Sequence, residues 1–208
     1  MSVGFIIIIL NFLFSFKGFR DRKFFDKWLL NSSKILKGQW YRNITSGFLH
    51  INQGHLFLNM LTFYFFYGSI ETKLGQTSLL FIYMISLISG NILAFKLNKF
   101  NLNYNAVGAS GAVLGIIYSS ILLNPYMTIF LFIIPMPAFL FGIGYLIYSM
   151  YSMKSNKSNI GHEAHIGGAI GGFFTTIILY PSLLLNNIFV VILLLVPIIY
   201  FYLRISKK

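Results

Sequence analysis

Ser110 stands in the stretch Val107-Gly-Ala-Ser-Gly-Ala-Val-Leu-Gly115, where Asn- and Lys-rich loop sequence gives way to an apolar run. A serine hydroxyl becomes a nucleophile near neutral pH when an adjacent base takes its proton. The chain has four histidines to supply that base and no cysteine. His50 and His55 flank the start of one apolar run, in LHINQGHLFLNML, and His162 and His165 open another, in GHEAHIGGAIGG. Asn59 follows His55 by four residues and so shares its helix face. Acyl transfer needs a nucleophile, a base and donors for a developing oxyanion. Ser110, His165 and the pair His55 and Asn59 offer these from three separate segments, and the Ser110 backbone N–H at a helix start is one more donor.

Spacing says how these groups could meet. Gly111, Gly115 and Ser119 form a stripe of small residues along one helix face, and His165, Gly168 and Gly172 form another, with Gly167 and Gly171 beside them. Such stripes let two helices approach closely, which would bring Ser110 to His165. The competing reading is that Ser110 caps a helix, that His165 hydrogen-bonds in a packed core, and that Asn59 joins helices. Glu163 points about 160° away from His165 at about 100° per residue, so a Ser–His dyad fits better than a triad. The soluble-hydrolase elbow G-x-S-x-G fails, because Ala112 stands two residues after Ser110. The zinc-protease signature H-E-x-x-H fails too, because here the histidines are three apart. No metal and no cofactor is expected; an unusual site made of the four histidines is the minor alternative.

The elements that must position these residues follow from composition. Of 208 residues, 57% are hydrophobic and only 10% charged, against about 25% charged in a soluble chain, and the mean hydropathy is +0.75. Apolar residues cluster in blocks, as in an all-α polytopic membrane protein. Seven segments are predicted, over residues 2–16, 53–70, 77–95, 109–123, 126–150, 162–180 and 186–203. A polar and aromatic stretch fills 17–52, and short connections between 70 and 162 predict antiparallel neighbours. Pro125, Pro135 and Pro137 bracket or bend the fifth segment. The net charge of +12 lies in loops beside apolar blocks, which points to lipid headgroups and away from nucleic acid.

Together these residues resemble the rhomboid family of intramembrane serine proteases. The resemblance rests on Gly108-Ala109-Ser110-Gly111, on His55 to Asn59 preceded by His50, and on Ala164, His165, Gly168 and Gly172. It is extended by Trp40-Tyr41-Arg42 with Thr45, and by Gly68, Glu71 and Gly75. These motifs run in family order over about residues 38–180. The resemblance implies a rhomboid-like six-helix bundle over 1–182, with 183–208 an additional C-terminal transmembrane helix and basic tail. It implies Ser110 as nucleophile, His165 as general base, and His55, Asn59 and the Ser110 N–H as the oxyanion hole. Arg42, His50 and Glu71 would be structural, holding the first loop and its neighbours, and Gly108, Gly111, Gly168 and Gly172 would support the site. The implied partners are the lipid bilayer and membrane proteins with a transmembrane segment, in a bacterial inner (cell) membrane. Leu114 departs from the pattern, for the family often has there an aromatic ring stacked on the histidine.

Charge and resemblance disagree on orientation. The loops on the site-bearing face, with the tail, hold all the Lys and Arg but Lys73. The positive-inside rule would turn that face to the cytoplasm; bacterial members of the family turn it outward. Two other functions are weaker matches. A silent relative that binds membrane clients usually lacks the serine or the histidine, and both are here. A transporter wants paired charges within the membrane, and the chain has four acidic residues in all.

Overall fold

The computed structural model describes residues 1–131, 133–152 and 161–205. The lysines expected to make loop 151–161 basic, and the last residues of the basic tail, lie outside them. Helix α1 (Val3–Arg20) starts at Ser2, whose hydroxyl accepts the Phe5 N–H, and stops at Asp21. It runs past the expected residue 16 because Lys17 and Arg20 fall in its last turn, where cations suit the helix dipole.

The stretch 17–52 folds into a structured loop. It contains α2 (Arg22–Trp28), the two-residue strand β1 (Leu30–Asn31), α3 (Ser32–Leu36), α4 (Arg42–Thr45) and a 3₁₀ turn over Ser46–Phe48. Arg42 is buried and holds this loop from inside: its guanidinium donates to Gln39 Oε1 and to the carbonyls of Asp26 and Leu29. Thr45 donates to the Trp28 carbonyl at 2.8 Å. Strand β1 pairs antiparallel with β2 (Asn105–Ala106), which ties the loop to the backbone just before Ser110.

Helices α5 (Gln53–Leu74) and α6 (Gln76–Asn98) are separated by Gly75 alone, at φ 85°, in the left-handed region where glycine carries no Cβ penalty. Then come α7 (Ser110–Leu123), α8 (Ala138–Ser152), α9 (His162–Leu179), α10 (Ser182–Asn186) and α11 (Ile188–Ile205). The expected fifth segment, 126–150, is only half a helix. Its first part is a hairpin, β3 (Thr128–Leu131) paired with β4 (Ile134–Pro137), and α8 begins at Ala138. Pro135 and Pro137 lack N–H donors and push the residues before them into extended backbone, so the helix cannot start earlier. Helix α11 accepts Pro197 in its interior.

Helices α6, α7 and α9 meet along glycines. A Cβ on Gly168 would stand 2.8 Å from Gly111 Cα and closer still to the Gly111 carbonyl, and one on Gly90 would stand 2.5 Å from Ala164 O. Only hydrogen fits there, so the backbones touch. The helices keep an apolar core, yet they also bury polar side chains and expose large apolar ones. Asn11, Ser15, Ser86, Ser119 and Thr176 are fully buried, whereas Phe65, Ile178 and Phe189 are exposed. By length and composition, α1 and α6 suffice to cross a membrane among the described residues, and α7, α8 and most of α11 are apolar but shorter.

Candidate active site

Ser110 is the first residue of α7. The backbone reaches it through Gly108, at φ 131°, a conformation L residues rarely adopt. Gly108 is also where His55 crosses the chain: a Cβ there would lie 2.8 Å from His55 Cε1 and 3.1 Å from its Nε2. Glycine therefore lets the imidazole lie against the peptide that leads into Ser110.

The loop is fixed from the other side by His50. The Ala109 N–H donates to His50 Nε2 at 3.4 Å, and His50 Nδ1 lies 2.9 Å from Ser15 Oγ, which itself donates to the Phe48 carbonyl at 3.0 Å. Nε2 accepts, so the neutral ring carries its proton on Nδ1 and donates it to Ser15. Burial, with neighbouring His55, pushes the His50 pKa down to about 3. One neutral histidine thus links α1, the first loop and the residue before Ser110.

His165 lies in the first turns of α9. Its Nε2 is 2.8 Å from Ser110 Oγ, and its Nδ1 is 2.9 Å from the Tyr145 hydroxyl on α8. The ring is nearly buried. Asn59, also buried, spends one N–H on the His55 carbonyl at 2.9 Å, which leaves its second N–H free. The His50 and His55 rings meet edge to face at 5.0 Å. A cavity of about 1350 Å³ is lined by Ser110, His165, His55, Asn59 and Gly108, and by Arg20 and Asn101 toward the loops.

The structure thus brings Ser110, His165, His55, Asn59 and Gly108 to one cavity, with His50 holding the Ala109 N–H beside them. Gly111, Gly168 and Gly172 lie in the helix seam below it: a Cβ on Gly111 would meet the Ala164 carbonyl at 3.0 Å. Arg42 is in the first loop. Glu71 lies in the last turns of α5, the helix that the resemblance has it closing. Its carboxylate accepts from Ser2 Oγ at 2.7 Å and from the Val3 N–H at 3.0 Å. It caps the start of α1, at the far end of α5 from the first loop. A carboxylate at a helix N-terminus meets the free N–H groups and the positive end of the dipole, which explains its place.

Two groups around the site escaped the sequence reading. Ser15 sits four residues after Asn11 on the buried face of α1, and that spacing was its signal. Tyr145 had nothing in the sequence to separate it from Tyr126 and Tyr148 of the same segment. Leu114 brings no ring to His165 from α7; an aromatic arrives from α8 instead, with the Tyr145 and His165 ring centroids 6.0 Å apart.

Residues 37–182 match the Rhomboid domain family. RHOMBOID-like protein 12, mitochondrial, of Arabidopsis thaliana is 28% identical over 183 residues, 80% of this chain and 54% of that protein. Rhomboid protease GluP of Bacillus subtilis (strain 168) is 32% identical over 154 residues, 71% of this chain and 28% of that protein. Rhomboid protein 1, mitochondrial, of Saccharomyces cerevisiae is 31% identical over 137 residues, covering 62% and 39%. The chain therefore spans 54% of the longest-matched of these relatives and less of the others. The family match takes in most of the chain and the whole Ser110, His165, His55 and Asn59 cluster, and on that ground the chain belongs to the rhomboid family.

Proposed function

We propose that this chain is an intramembrane serine endopeptidase that cleaves transmembrane segments of membrane proteins. The observation that carries the proposal is the 2.8 Å contact between Ser110 Oγ and His165 Nε2 at the wall of the cavity. His165 takes the serine proton as Oγ attacks the carbonyl carbon of the scissile peptide. The oxyanion that forms is met by the Ser110 N–H at the start of α7, by the free N–H of Asn59 and by His55. His165 then gives its proton to the leaving amine, and water from the cavity hydrolyses the acyl-enzyme. Water in a cavity reconciles hydrolysis with a bilayer, since irregular backbone at membrane depth is tolerated where it lines such a space.

Rhomboid-family proteins are integral membrane proteins that act on membrane-protein substrates. For this chain we propose a six-helix core over residues 1–182 and a seventh spanning helix, with its basic tail, over 183–208. The outward-facing Phe and Ile side chains and the inward-facing Ser and Asn side chains support the spans. A bacterial cell membrane is the location proposed, and the likeness to a Bacillus protease supports it.

The test is cleavage of a transmembrane reporter by the purified protein in liposomes, beside Ser110→Ala, with labelling of Ser110 by a serine-reactive phosphonate. Cleavage and labelling by wild type alone are expected. Cleavage that survives in Ser110→Ala would remove Ser110 as the nucleophile. A folded wild type that neither cleaves nor labels would replace this reading with that of a silent rhomboid-like protein that binds membrane clients.

A further inference from the structure

We infer that Tyr145 is a positioning residue for His165: its hydroxyl accepts the Nδ1 proton and so holds the imidazole in the tautomer whose Nε2 can take the Ser110 proton. The inference rests on the proposed function above and adds a third member to its dyad.

The His165 ring has hydrogen-bond partners at both nitrogens, Ser110 at Nε2 and Tyr145 at Nδ1. Two proton assignments satisfy those distances. In the first, Nδ1–H donates to Tyr145 Oη, and the Ser110 hydroxyl donates to a bare Nε2. In the second, the Tyr145 hydroxyl donates to a bare Nδ1, and Nε2–H donates to Ser110. Only the first leaves a base facing the serine. The choice turns on where the Tyr145 proton goes. Ser149 is one helical turn further along the same face of α8 and stands beside the Tyr145 hydroxyl. Its own hydroxyl is buried and has no hydrogen-bond partner. It is an acceptor available to Tyr145, which frees the tyrosine oxygen to accept from His165.

The tyrosine is also held in place. Gly142, one turn before it, brings α8 close to its neighbours: a Cβ there would lie 2.9 Å from Ile121 of α7 and 3.3 Å from Leu194 of α11. Tyr118 of α7 donates to the Gly142 carbonyl. Helix α8 is therefore pinned to the helix that carries Ser110, one turn from the residue that contacts His165. Glu163 makes no hydrogen bond to the His165 ring, whose two nitrogens are taken by Ser110 and Tyr145, so the orienting role falls to a neutral hydroxyl. A hydroxyl fixes tautomer and angle but brings no negative charge to the imidazolium. Its removal should therefore cost what one hydrogen bond to an ionising group costs, about tenfold to a hundredfold in rate.

The experiment compares wild type, Tyr145→Phe and Ser149→Ala in liposomes, with the same reporter and the same phosphonate. Tyr145→Phe keeps the ring and removes only the hydroxyl. Its kcat should fall about tenfold to a hundredfold, with KM nearly unchanged and phosphonate labelling slowed in proportion. In histidine-¹⁵N spectra, with the His165 signals assigned by their loss in His165→Ala, wild type should show a protonated Nδ1 and a bare Nε2. Tyr145→Phe should shift population toward the Nε2–H form, and Ser149→Ala should shift it the same way with the His165 contact intact. A Tyr145→Phe protein with wild-type kcat would overturn the inference, as would one whose His165 tautomer is unchanged. If wild type itself neither cleaves nor labels, the protease reading fails; the tautomer comparison still decides whether Tyr145 sets the state of His165.

Discussion

The helix seam should set the distance between Ser110 and His165, and Gly168→Ala tests this. Gly168 is three residues beyond His165 on α9, and the backbone it touches is Gly111, the residue after Ser110. An added Cβ would stand 2.8 Å from Gly111 Cα, whereas ordinary contact begins at 3.4 Å. The obstacle is backbone, which has no rotamer to escape into. Helix α9 must back away by more than half an ångström, and by more again to clear the Gly111 carbonyl. Ser110 and His165 now lie 2.8 Å apart. That withdrawal takes them beyond the roughly 3.2 Å limit for a proton-transferring hydrogen bond.

Overpacking of this kind costs about 1–3 kcal/mol of stability, and a misplacement of about 1 Å costs on the order of a hundredfold in rate. The assay is reporter cleavage in liposomes with phosphonate labelling, beside thermal unfolding. Gly68→Ala is the control, since a Cβ on Gly68 meets nothing within 4 Å; it should keep wild-type activity. Gly172→Ala adds a graded comparison. Its Cβ would press on Gly115, one turn further from the site, so it should lose similar stability but less activity than Gly168→Ala. Gly168→Ala with activity within threefold of wild type and unaltered unfolding would refute the claim that this seam sets the catalytic distance.

Asn59→Ala removes a proposed oxyanion donor and should lower kcat by about a hundredfold to a thousandfold; kcat within threefold of wild type would leave Asn59 only the role of joining helix turns. His50 gives a pH prediction whose sign can be worked out. Its folded pKa is about 3, below the ordinary 6.5, so between those values the unfolded chain binds the extra proton and acid favours unfolding. The stability His50 contributes is fully present above pH 6.5 and drains away as the pH falls toward 3. Thermal unfolding followed from pH 7 to 4 should therefore fall more steeply in wild type than in His50→Gln. Equal slopes would mean that His50 is not held neutral.

Much of the site was legible because membrane helices make polar residues conspicuous. In runs of Ile, Leu and Phe, a serine between glycines and a histidine followed by glycines at three and seven stand out, but spacing alone leaves a helix cap and a core histidine as an equal reading, and it is the resemblance that pairs them. The same reasoning failed where spacing was silent. The segment 126–150 is apolar throughout, and hydropathy does not distinguish a hairpin from a helix; only Pro135 and Pro137, which break the donor ladder, carry that information. The partner of Glu71 was not legible, because the start of α1 is nearly seventy positions away in sequence, and nothing local marks a cap supplied from another helix.

Tyr145 shows the deeper limit. A tyrosine in an apolar helix reads as bulk, since most such rings pack or meet the interface. What distinguishes it is a contact across the α8–α9 boundary that depends on Gly142 drawing α8 inward. The glycine was visible and the tyrosine was visible, but the consequence belongs to the packing of three helices. Positioning residues reach the chemistry through such tertiary contacts, so sequence reading finds nucleophiles and bases more readily than the groups that orient them.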